Sequence, residues 1–390
     1  MSNWVDQKRH HVVTAILPRR TSNEVTDFLL DKPARFMFEL GARGTVVKDR
    51  WYQFLLPIIS PEQEIIQFLL PHDEVDIIME QIVALGQLRL AGAGAVFTYE
   101  CSSFTATADF PVWQNGEHTE AGLSMIKFKR NLVGIAATVQ SSISETVARS
   151  AIKAGAHGPT IHYCEGRGVR DRLGILRFTQ NPDKEIIRVI VDDMDADAVF
   201  DAMATAGRLT EPGRGIIYTM PINRGMIKLP GVTQSSRYAA SIHQIIHAID
   251  DLKGCADWRA TSNLIDSSKS SGGALSFLGI GPSRSRKYLY DLQRITCTTK
   301  RKNIDILVNA ALEAGAPGAT SILGRFMESE CKTTGAGVRI NRELGTMQFI
   351  LGRDQMYRVI DALKAATDEH KLETVAIYTA PVGKVLTYLG

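Results

Sequence analysis

Residues 154–160, AGAHGPT, close an apolar run with helical spacing and open a strand-like one. Similar stretches occur twice more: 40–45 reads LGARGT and 314–320 reads AGAPGAT. Three glycine-paired turns predict three copies of one unit, in which matching elements should follow at matching distances. Downstream lie IIQFLL (65–70), IIRVIV (186–191) and TMQFIL (346–351), short β-rich runs suited to interior strands. Helix-patterned segments follow at 73–86, 195–207 and 353–366, then the strands AVFTY (95–99), IIYTM (216–220) and AIYTA (376–380). The separations Phe68 to Phe97, Val189 to Tyr218 and Phe349 to Tyr378 are all 29 residues. Gly155 to Thr219 and Gly315 to Thr379 are both 64, against 57 from Gly41 to Thr98, which implies a shorter loop in the first copy.

Upstream, each copy opens with a strand candidate: VVTAIL (12–17), VGIAATV (133–139) and ITCTT (295–299). Helices are expected over 142–155, with Ser144 and Glu145 at its start, and over 302–315. Gly155 and Gly315 fall where a helix ends in a left-handed residue. Each copy therefore reads as a split βαβ, or ferredoxin-like (βαββαβ), unit: an antiparallel sheet with two helices on one face. The fold class expected is α+β, with units at 1–110, 111–230 and 291–390. Between the last two, 231–290 carries a helix (238–254) and a Ser/Gly-rich linker.

Composition is that of an ordinary globular protein: 390 residues, 44% hydrophobic, 22% charged, net charge +3. That charge gives no reason to expect a nucleic-acid or membrane partner. The N-terminal MSNWVDQKRHHVV lacks a signal-peptide core, and no apolar run reaches the length of a membrane span. Five scattered cysteines without C-x-x-C suggest a reduced, cytoplasmic protein. His243 and His247 share a helix face, and His162, Cys164 and Glu165 cluster on one strand, but neither group has the spaced ligands of a metal site. Among common catalytic signatures, neither a nucleophile elbow nor a Walker A sequence is present, so no residue is assigned to catalysis.

The middle copy resembles the P-II nitrogen-regulatory signalling family over about 100 residues, 151–168, 185–208 and 213–222. The matching motifs are Gly158-Pro159-Thr160, Gly166-Arg167-Gly168, Val191-Asp192-Asp193 and Gly213-Arg214-Gly215-Ile216-Ile217-Tyr218. The resemblance implies a ferredoxin-like trimer, here three units in one chain that could close as a pseudo-trimer or form a low-order oligomer. It further implies a regulator binding adenine nucleotides (ATP, ADP or AMP) and 2-oxoglutarate in inter-unit clefts. Carried onto this chain, the ligand residues are Thr160, Gly166, Gly168, Arg170, Arg208, Gly213, Arg214 and Gly215. A turn such as 211–216 can aim backbone N–H groups at phosphate, with Arg208 and Arg214 pairing its oxygens. The family's basic residue after that turn is Ile216 here. The family's mobile loop corresponds to 166–184, where Arg167, Arg172 and Arg177 would meet a regulated protein partner. Two other readings stay open: an enzyme or metal-binding protein on the same fold, and an assembly module with degenerate clefts.

Overall fold

The computed structural model describes residues 4–7, 9–31, 37–45, 62–112, 126–168, 183–229, 287–330 and 338–388. The chain divides into a compact unit of 1–233 with 289–390 and a second of 234–288. Of the second unit only Lys287 and Tyr288 are described, so the helix expected at 238–254, with His243 and His247, lies outside the described residues. The described strands and helices all belong to the first unit.

The first segment of that unit runs β1 (Trp4–Gln7), β2 (His10–Pro18), α1 (Arg19–Asp31), β3 (Met37–Gly44), β4 (Glu62–Pro71), α2 (Val75–Leu85), β5 (Gly94–Glu100) and β6 (Ser103–Thr107). The second has β7 (Leu132–Gln140), α3 (Ser141–Lys153), β8 (His157–Gly168), β9 (Asp183–Asp192), α4 (Ala196–Ala206), β10 (Gly215–Ile222) and β11 (Arg224–Lys228). The third has β12 (Leu292–Lys300), α5 (Ile304–Glu313), β13 (Gly318–Glu330), β14 (Val338–Gly352), α6 (Arg353–Glu369), β15 (Ala376–Val382) and β16 (Val385–Thr387). The protein is α+β, and its strands join one large antiparallel sheet. Strands pair in the orders β3–β4–β2–β5, β8–β9–β7–β10 and β13–β14–β12–β15.

Both faces of these strands are buried, which explains their near-continuous apolar runs. In β2, Val13, Ala15 and Leu17 pack on one side with Val25 and Leu29 of α1 and Ile78 and Ile82 of α2. Val12 and Ile16 point the other way, into a core shared with Ile186, Tyr218, Ile322 and Tyr378 from the other two segments. Gly155 and Gly315, at φ +105° and +100°, follow the ends of α3 and α5 in the expected left-handed region.

Two local expectations need correction. LGARGT is not a helix-ending turn: residues 40–44 lie inside β3, where Gly41 pairs with Glu64. The short glycine pattern occurs in strands as well as at helix ends, and the 57-residue spacing compared unlike positions. Ser144 does not begin α3, which starts at Ser141; its buried hydroxyl instead bonds the Ser141 carbonyl and Glu185. β13 and β14 form a long hairpin, paired from Thr320↔Gln348 to Glu330↔Val338.

Counted from β2, β7 and β12, the segments meet through their second and last strands. β3 pairs β8 (Gly44↔Thr160), β8 pairs β13 (Gly168↔Gly318) and β13 pairs β3 (Arg325↔Glu39). The short strand ending each segment joins the fourth strand of a different one: β6 lies on β15, β11 on β5 and β16 on β10. Each pairing set visits all three segments and returns to the first.

Candidate functional site

The residues expected to hold a ligand fall on opposite edges of the second segment. Thr160, Gly166 and Gly168 lie on β8, with β9 and β7 separating them from β10 and its turn. Thr160 is fully buried, and its hydroxyl donates to Gln63 Oε1 of the first segment at 3.1 Å. Gly166 and Gly168 pair with Thr320 and Gly318, and the Lys184 side chain covers Gly166 so closely that an added Cβ would sit 2.6 Å from its Cδ. Arg170, Arg172 and Arg177 lie outside the described residues.

At the other edge the turn after α4 keeps an open character. Arg208 is exposed at φ 50°, Gly213 has φ 74° and Gly215 φ 133°. Gln87, Gly92 and Gly94 repeat those angles at 51°, 81° and 129°, so the backbone of this turn recurs in the first segment. Arg214 is occupied locally: its Nε donates to Glu211 Oε2 at 3.2 Å. Strand β16 runs beside the turn, and Thr387 donates its hydroxyl to the Gly215 carbonyl at 2.9 Å.

Arg167 lies in β8, where its guanidinium is 2.6 Å from Asp305 of α5. It is one of three arginines on second strands that cross to a neighbouring segment. Arg43 binds Glu185 at 2.6 and 3.0 Å, and Arg325 approaches Glu64 at 3.5 Å and Glu39 at 3.7 Å. Glu185 holds the Arg43 guanidinium above its ordinary pKa through a hydrogen bond. Burial, and then the charge of Glu64, hold the Glu39 carboxyl above its ordinary value.

Sequence reasoning passed over a cluster in the shared core. Arg188 on β9 and Arg294 on β12 are both buried, among Tyr99, Tyr218 and Tyr378 from the three fourth strands. The Arg294 guanidinium stacks 4.7 Å from the Tyr99 ring centroid, and its Nη1 contacts the Met220 sulfur. Tyr218 donates to Gln348 Oε1 at 3.3 Å. Burial lowers the Arg188 pKa, and the charge of Arg294 acts in the same direction. The available signal was a lone arginine in each of two β-rich runs, IIRVIV and LQRITCTT.

No protein-family profile and no curated protein matches the chain. Among solved structures, a microcompartment protein from Desulfitobacterium hafniense DCB aligns at 10% identity over 64% of this chain and 95% of its own, with a TM-score of 0.17. A mutant chlorite dismutase from Candidatus Nitrospira defluvii aligns at 12% over 65% and 92%, with a TM-score of 0.15. Similarity at that level assigns neither a fold nor an activity.

Proposed function

We propose that the compact unit consists of three tandem ferredoxin-like units of P-II type, closed as a single-chain pseudo-trimer. On this reading it is a non-enzymatic regulator. It binds a small anionic metabolite, such as an adenine nucleotide, at an inter-unit seam and acts on a protein partner through 166–184. The observation that carries the reading is the closed set of second-strand pairings, β3 with β8, β8 with β13 and β13 with β3. One chain thereby makes seams that separate subunits would otherwise supply. The best-equipped seam is the Arg208–Gly215 turn beside β16, where an exposed arginine and left-handed glycines offer charge and free backbone geometry to phosphate. Among the described residues no helix is long and apolar enough to cross a membrane.

The Arg214–Glu211 pair and the Thr387 bond to Gly215 favour a second reading, an assembly module whose lateral clefts are closed by its own side chains. Calorimetric titration with ATP, ADP and AMP, with and without 2-oxoglutarate, separates the two. The regulator reading expects saturable binding by protein of one-chain mass, weakened about tenfold or more in Arg208→Ala. No heat from any of these ligands would leave the assembly reading standing.

A further inference from the structure

The three fourth strands converge on one spot. Tyr99 of β5, Met220 of β10 and Ala380 of β15 hold matching places, their numbers 121 and 160 apart, like Phe97, Tyr218 and Tyr378 two residues earlier. Together with Arg294 they line a cavity of about 170 Å³, with Asn223 and Glu100 also on its wall. A water takes up about 30 Å³ of liquid, so this space suits a ligand of a few heavy atoms.

The charges there are unbalanced. Arg294 is 2% exposed and Arg188 5%. Among the described residues neither has a carboxylate within 4.0 Å, and Glu100 on the cavity wall is exposed. Arg294 Nε and Nη2 and Arg188 Nε have no hydrogen-bond partner. The Nε–Nη2 edge of a guanidinium is the one that takes a carboxylate or phosphate side-on through two parallel N–H bonds. Buried charges are ordinarily paired, and an arginine does not shed its proton to escape the cost. Like-charged guanidiniums in one buried cluster therefore call for an anion from outside the chain.

We propose that this junction is a binding site for one small oxyanion, a phosphate-like or short dicarboxylate group, held directly by Arg294 and drawn in by the charge of Arg188. Tyr99 walls one side and stacks on the guanidinium. Nε and Nη2 are closed off from solvent, so the guanidinium turns its fork toward the cavity to take the anion. The site is separate from the Arg208–Gly215 turn, and its existence does not depend on the regulator reading.

The test is thermal unfolding of the full chain in sodium phosphate, sulfate or succinate, each against chloride at matched ionic strength, with calorimetric titration of the same anions. Binding to the native state raises the melting temperature in a saturable way. Arg294→Met should abolish that dependence, and Arg188→Met should weaken the affinity at least tenfold. Met220→Glu, which supplies a carboxylate inside the cavity, should remove the anion response even if the methionine variants fail to fold. Phosphate or sulfate acting alone assigns a tetrahedral anion; succinate acting alone assigns a dicarboxylate. Equal melting temperatures in every salt, or a shift that survives Arg294→Met or Met220→Glu, overturns the proposal.

Discussion

Arg43 and Glu185, 142 positions apart in sequence, meet fork to fork across two segments: Nη1 lies 2.6 Å from Oε1 and Nη2 3.0 Å from Oε2. The Ser144 hydroxyl bonds the same carboxylate, which is only 13% exposed. Bidentate geometry and partial burial make this the strongest of the three crossing arginines. Arg43→Met should cost about 1.5–3 kcal/mol, because it strands a shielded carboxylate. Arg167→Met should cost no more than about 1 kcal/mol, since Asp305 is 70% exposed and water screens the pair. Urea unfolding of both variants checks the order. Equal losses would mean that the crossing pairs do not differ in burial as described.

Two glycines separate steric need from conformational preference. Gly215 has φ +133°, and an added Cβ would lie 1.9 Å from the Thr138 carbonyl oxygen; at Gly155, with φ +105°, nothing lies within 4 Å. Gly215→Ala must shift backbone against β7 and should cost about 3 kcal/mol or more. Gly155→Ala bears only the left-handed penalty, about 1 kcal/mol. Melting curves of the two variants decide it, and a Gly215→Ala protein as stable as the parent would contradict the tight approach of the turn to β7.

These relationships differ in how far the sequence announces them. The constant spacing of 29 from Phe68 to Phe97, and its two counterparts, is legible because each span crosses one helix and ends on adjacent registers: Phe68 faces Val13, and Phe97 faces Thr14. The glycines at 155 and 315 are equally legible, since few residues other than glycine end a helix left-handed. The strands β6, β11 and β16 are three to five residues long, too short for any period, and each pairs with a strand of another segment. The ligand set taken from the middle segment alone could not anticipate that Thr160 would be used by Gln63. Nor could it place Arg167 beside Asp305. Arg188 and Arg294 stood in plain view as charges inside apolar strands, but the tyrosines that surround them come from all three segments.

Acid should destabilise the fold through buried histidines. Burial lowers His162 to about 3, with the Arg188 charge adding to it, and lowers His11 to about 4, with His72 adding to it. The ordinary value is 6.5, so between pH 6.5 and 4 the unfolded chain takes up protons that the native state refuses. Stability is therefore full above about pH 6.5 and falls as pH drops toward 4. Glu39, raised by burial and by Glu64, works the other way in the lower part of that window. For His162 the loss between pH 7 and 5 should be on the order of 1–2 kcal/mol. His162→Asn should flatten the profile by that amount, as read from urea unfolding at pH 7, 6 and 5. A variant profile parallel to the parent would show that His162 is not held neutral.

The last strand offers a test of closure. Val385 and Leu386 of β16 are buried, the Lys384 backbone N–H donates to Thr219 Oγ1 at 2.8 Å, and Thr387 caps Gly215. Ending the chain after Gly383 removes two apolar anchors, a loss of about 3–5 kcal/mol. It also uncovers one edge of β10, and an unpaired interior edge is a template for another chain. The truncated protein should melt earlier, and light scattering should show dimers or larger species in place of one-chain mass. Leu386→Ala, which keeps the backbone pairing, should melt earlier without associating. If the truncated chain stays monomeric and melts with the parent, β16 only decorates β10, and the exchange of last strands is not what holds the segments together.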